Sequence, residues 1–78
     1  MIKTGMMFVC TGRLHIIDII ISVNETKTLV LRMETVNKLD SVGECSLFEF
    51  YDLDSKTLAK NIAKGNYWNS NFWACVNV

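Results

Sequence analysis

Residues 14–23 and 27–36 are two runs rich in β-branched and aliphatic side chains, separated by Asn24, Glu25 and Thr26, and a charge interrupts each near its middle. If Asn24, Glu25 and Thr26 form a three-residue hairpin loop, the register follows by arithmetic. Ile21 then faces Leu29, Ile19 faces Leu31, and Ile17 faces Met33. Asp18 falls opposite Arg32, a cross-strand pair of opposite charge. An aspartate and an arginine that meet at matching heights in two apolar strands demand an antiparallel sheet more firmly than β-propensity does.

Residues 6–11 and 45–51 carry the same bias and are bounded by Gly12-Arg13 and by a polar loop at 37–43, so they read as two further strands. The pattern changes after Tyr51. Asp54 is a good N-cap, Gly65 a good C′ residue, and Lys64 suits the negative end of a helix dipole. Leu58, Ala59, Ile62 and Ala63 form an apolar stripe at helical spacing, with Lys56, Lys60 and Lys64 on another face. Residues 72–78 end the chain as a strand, with Phe72, Ala74, Val76 and Val78 on one side. The order is ββββαβ: a single α+β domain over 1–78, an antiparallel β-sheet with one short amphipathic helix packed on one face.

The alternation sorts the strands into two faces. Met6, Phe8, Cys10, Ile17, Ile19, Ile21, Leu29, Leu31 and Met33 collect on one, which is expected to be the core. The other holds Met7, Val9, Leu14, Ile16, Ile20, Val30 and Val36, broken by Asp18, Ser22, Arg32 and Glu34. That mosaic is too apolar for an ordinary solvated face. It is expected either to be covered by another element or to meet a partner.

At 78 residues, 50% hydrophobic and 21% charged, the chain has room for one domain and is too apolar for a disordered tail. Eight basic against eight acidic side chains give no general attraction for phosphate backbones or anionic membranes. Cys10, Cys45 and Cys75 each lie in an apolar run, make no CxxC pair and accompany a single histidine, His15. They read as small core residues rather than ligands, so no metal and no cofactor is expected. The N-terminal apolar stretch is too short for a signal peptide, and no run reaches the roughly 20 residues needed to span a bilayer. A cytoplasmic protein with no membrane contact is expected.

Chemical constellations are sparse. Cys10 would pair with His15 if Gly12-Arg13 made a two-residue turn. A Cys/His dyad also needs oxyanion donors that nothing nearby supplies, so His15 reads as a strand histidine beside a buried neighbour. Glu44, Glu49, Asp52 and Asp54 surround the fourth strand and the helix start. Asp52 and Asp54 are explained by capping, and the group reads as a solvated acidic edge able to steer a basic partner. The strongest functional signal is Tyr67, Trp68, Asn69, Ser70, Asn71, Phe72 and Trp73, aromatics interleaved with amides. Alternation along a strand cannot bury all four rings on one face, so one ring is expected inward and another at a contact.

No P-loop, dinucleotide fingerprint, metal spacing or nucleophile elbow is present, and the chain reads as a non-catalytic binding protein rather than an enzyme. It would act by occluding a surface of a larger protein or nucleoprotein complex through Glu44, Glu49, Asp52, Asp54, Tyr67, Trp68, Asn69, Asn71 and Trp73. In size, composition and lack of a catalytic signature, the ββββαβ chain with its Asn/aromatic tail resembles the small single-domain anti-CRISPR inhibitors that phages encode against host defence. The resemblance implies steric blocking of a CRISPR effector through a charged edge or an aromatic patch; no motif carries it, so no functional residue is transferred. Two other readings are a homodimeric structural or regulatory module pairing through the mixed sheet face, and a weak single-stranded nucleic-acid binder. The second would use Lys56, Lys60 and Lys64 with the tail aromatics.

Overall fold

The Asp18–Arg32 hairpin forms as its charges require. A computed structural model, which describes residues 2–12, 16–34, 47–68 and 70–77, pairs β2 (Ile16–Val23) with β3 (Lys27–Glu34). Ile17 faces Met33, Asp18 faces Arg32 and Ile19 faces Leu31, in the expected register. The register then shifts between Ile20 and Ser22, so that Ser22, not Ile21, lies opposite Leu29. This bulge adds one residue to β2, and the turn tightens by one to compensate. Asn24 Oδ1 accepts from the Thr26 N–H at 3.0 Å and the Lys27 N–H at 2.8 Å, an Asx turn that closes the hairpin.

β1 (Met7–Cys10), β4 (Leu47–Asp54) and β5 (Trp73–Asn77) complete one antiparallel sheet in the order β4-β3-β2-β1-β5. With α1 (Ser55–Ala63) between β4 and β5, the chain has the expected ββββαβ α+β arrangement. β4 runs on to Asp54, three residues past the expected end at Tyr51, and passes directly into the helix. Residues 45 and 46 lie outside the described residues.

α1 starts and stops on its own sequence signals. Asp54 Oδ2 accepts from the Thr57 N–H at 2.9 Å, and Gly65 adopts φ +83° just past the last turn, a conformation glycine takes without a Cβ penalty. Ser55 moors the helix start to the β2–β3 turn. Its N–H donates to the Thr26 carbonyl at 3.0 Å, and its hydroxyl donates to the Asn24 carbonyl at 2.8 Å while meeting the buried Thr28 hydroxyl at 2.8 Å. Leu58 is buried and Ile62 half-buried, whereas Ala59 and Ala63 of the expected stripe stay exposed.

The phase of β1 corrects the expected faces. Phe8 lies opposite Asp18 and Val9 opposite Ile17, one residue away from the register that pairs Cys10 with His15. A one-residue slip moves every side chain to the other face. Met6 and Phe8 therefore join Asp18, Ile20 and Val30 on the mixed face. There they meet Leu58 and Tyr67 in the buried cluster. The core has formed on the face expected to be a mosaic. The face expected to be core, with Ile17, Ile19, Leu29, Leu31 and Met33, is only half-buried. The mixed face, through which a homodimer was expected to pair, is covered within the chain, with Ile20 and Val30 buried against Leu58 of α1 and Tyr67. Cys10 is half-buried and Cys75 exposed, so Cys75 is not the core residue expected; Cys45 and His15 lie outside the described residues. No helix among the described residues is long and apolar enough to cross a membrane.

Candidate functional site

Behind the sheet, a polar cluster occupies the centre of the core. Arg32 grips Asp18 with two parallel bonds, Nε to Oδ1 at 2.8 Å and Nη2 to Oδ2 at 2.9 Å, the bidentate geometry of the strongest charge-assisted pairs. Asp18 is 0% exposed and Arg32 18%. Two more donors reach Oδ2, the Tyr67 hydroxyl at 2.9 Å and the Trp68 indole N–H at 3.1 Å. Three of the four donors converge on Oδ2 and one on Oδ1, so the buried charge is held by structural bonds on both oxygens. The guanidinium lies 5.0 Å from the ring centroid of Tyr51, 4.7 Å from Trp68 and 5.1 Å from Trp73, an aromatic box on the strand pair. The bond to Asp18 raises the Arg32 pKa and holds the guanidinium charged.

The tail reaches this box through a tight turn rather than along a strand. Tyr67 and Ser70 exchange backbone bonds at 2.8 and 3.0 Å, and Trp68 between them takes φ +54°. A left-handed tryptophan costs about 1–2 kcal/mol, and the indole bond to Asp18 together with the stack over Arg32 holds it there. Tyr67 is 1% exposed and stacks on Phe8 with centroids 4.1 Å apart. Burial, then the Asp18 charge, pushes its hydroxyl pKa far upward. The turn thus brings three of the four tail rings inward, more than strand alternation allows. Tyr67 is a core residue in this fold, not a contact residue, and Phe72, 65% exposed, is the ring left outside.

The acidic series does not form one patch. Glu49 lies opposite Arg32 on the clustered side and accepts from the Tyr51 hydroxyl at 2.6 Å. Asp52 lies opposite Leu29 on the other side, exposed and without the capping role expected of it. Asp54 caps the helix, and its two bonds from Thr57 hold its carboxyl below the ordinary range. Glu44 and Asn69 lie outside the described residues. Asn71, Lys56, Lys60 and Lys64 are exposed, while Trp68 and Trp73 are half-buried around Arg32. A shallow groove of about 200 Å³ beside Trp68, lined by Leu53, Asp54, Thr57, Leu58 and Asn61, is smaller than the roughly 300–1,000 Å³ of ligand pockets. No group of three or more His, Cys, Asp or Glu converges among the described residues as metal ligands would.

The large feature is the opposite side of the sheet. The register aligns Met7, Ile19 and Leu31 with Phe50 across four strands, and Val9, Ile17 and Met33 with Phe48 in the next row. Phe50 is 63% and Phe48 57% exposed, and no described element lies over these rows. Among the described residues, the charge on this side lies at one end, where Lys27, Asp52 and Asp54 are exposed. An apolar centre with a polar rim is the anatomy of a protein interface. In comparisons with known proteins, no family model, curated protein or solved structure matches the chain.

Ile17, Ile19, Leu31 and Met33 of these rows were expected in the core and Met7 and Val9 on the mixed face, while Phe48 and Phe50 were not singled out as contacts. The signal was present in β4. Phe48 and Phe50 alternate with Glu49 and Tyr51, so a strand that sends Tyr51 to the Arg32 box must send both phenylalanines the other way.

Proposed function

We propose that the chain is a non-catalytic binding protein that works by covering a surface of another protein, with the open sheet face as its docking surface. The observation that carries this is the uninterrupted apolar character of the centre of that face. Five strands spaced about 4.8 Å apart, with up to eight residues each at about 3.3 Å, span roughly 500 Å² in projection. Without its charged end the face falls within the range of about 300–600 Å² for the largest apolar patch on a monomer, and such patches are often functional. The Asp18–Arg32 pair behind it fixes β2 against β3 and so holds the face in one shape, which lowers the ordering cost of association.

In its finer form the covered surface belongs to a larger protein or nucleoprotein complex, as for an inhibitor of the anti-CRISPR type. The exposed Glu49, Asp52 and Asp54 or the Lys56, Lys60 and Lys64 stripe would then set orientation. A nucleic-acid reading has less support, because Tyr67, Trp68 and Trp73 are committed to Asp18 and Arg32 and no longer offer a stacking platform. The test places a photo-crosslinking phenylalanine analogue singly at Phe50, Asp52 and Lys60 in host cells. An adduct heavier than the chain from any of these sites is expected, most strongly from Phe50. No adduct from any of them refutes a binding function.

A further inference from the structure

Taking the open face as a docking surface, we infer that in the free protein its occupant is a second copy of this chain, packed face to face in a two-fold sandwich that a larger partner would displace. Three properties of the face fit itself. Its centre is uncharged, so self-pairing brings no like charges together in the interior of the contact. Its projected area of roughly 500 Å², enlarged by side-chain relief, approaches the ~800 Å² per partner of a specific interface. Its relief is also self-complementary. Phe48 stands on β4 at one edge of the sheet, while Ala74, in the same row through Met33, Ile17 and Val9, lies low on β5 at the other.

A two-fold axis running along β2, the middle strand, turns the second sheet over and exchanges left for right. β4 of one copy then lies above β5 of the other, with Phe48 over Ala74 at both edges and aliphatic residues meeting between them. Facing large and small residues is how sheet layers interdigitate. An axis across the strands would instead set β4 on β4 and crowd phenylalanine on phenylalanine, leaving the alanine edges gapped. The β2-parallel axis is therefore the one the side chains select. The resulting dimer keeps α1 and the charged surfaces outward.

The test is the mass of the full chain by light scattering, with circular dichroism confirming that each variant is folded. The wild type is expected at twice its 8.9 kDa. Leu31→Lys, at the centre, should weaken the dimer at least tenfold, as loss of a buried anchor does. Phe48→Ala and Ala74→Trp should each weaken it, and the two combined in one chain should restore it, because large and small simply exchange edges. A dimer indifferent to Leu31→Lys, or a combined variant weaker than both single ones, overturns this arrangement. A monomeric wild type overturns self-pairing. If that monomer binds the apolar dye anilinonaphthalene sulfonate and Leu31→Lys abolishes the signal, the face still serves another protein. A monomer that binds no dye sinks the docking surface as well.

Discussion

Replacing Arg32 with methionine would remove two bonds of 2.8 and 2.9 Å from a carboxylate that is 0% exposed, leaving Asp18 only the Tyr67 hydroxyl and the Trp68 indole. Breaking a buried pair in this one-sided way costs about 3–5 kcal/mol. The 18% exposure of Arg32 places the loss near the lower end, about 3 kcal/mol. A chain of 78 residues has roughly 4–12 kcal/mol in all, at about 0.05–0.15 per residue. At about 4–8 °C per kcal/mol, the melting temperature should fall by at least about 12 °C. Adding Asp18→Asn removes the stranded charge, while the amide oxygen still accepts from Tyr67 and Trp68. The double variant should therefore melt above Arg32→Met, with at least about 1 kcal/mol recovered. Thermal melts by circular dichroism at one fixed protein concentration measure both steps, because any self-association would make the midpoint concentration-dependent. An Arg32→Met chain that melts within about 2 °C of wild type would show that the pair contributes little. A double variant no more stable than Arg32→Met would show that buried charge is not what makes the loss large.

Tyr67 predicts an alkaline limit. Its pKa is raised from the ordinary 10.0, so the contribution is full below that value and is lost as pH rises above it. Phenolate absorbance should show Tyr67 ionising only as the circular dichroism signal collapses, and Tyr67→Phe should flatten the alkaline fall; full ionisation of both tyrosines in a folded chain would contradict this. At Asp54 the carboxyl is held below its ordinary 3.8, so its stabilisation is present above that range and is lost as pH falls through the lowered value. Asp54→Ala should depress the melting temperature at neutral pH and converge on wild type in acid, and an equal deficit at both would exclude the carboxylate as the cause. Gly65→Ala should cost about 1–2 kcal/mol through its φ of +83° alone, since an added Cβ there meets nothing within 4 Å. Gly12→Ala, equally open but without a positive φ, should stay within about 0.5 kcal/mol, and equal losses at the two glycines would refute the conformational origin.

Parts of this architecture are legible without coordinates wherever one local signal suffices. Asp54 and Gly65 delimit α1 because a cap needs only a side-chain acceptor at one end and a free φ at the other. Asp18 finds Arg32 because a short turn leaves few registers to choose among. The donors that complete the cluster were less legible. Tyr67 and Trp68 each carry a polar hydrogen that burial obliges them to place, but the turn that aims both at Oδ2 depends on a left-handed Trp68, which no propensity favours.

The faces were decided at a longer range. Alternation along β1 says that Met6 and Phe8 share one side and Met7 and Val9 the other; it does not say which side joins Asp18. That depends on the parity of the β1–β2 connection, and one residue of difference exchanges core for surface. Sequence by itself determined the element types, their order, the hairpin and the charge pair. Tertiary structure alone decided that α1 and the tail would bury the mixed face, because Asp18, Arg32, Tyr67 and Trp68 can satisfy one another only on the side where the helix lies. The cleaner apolar face was thereby left facing out.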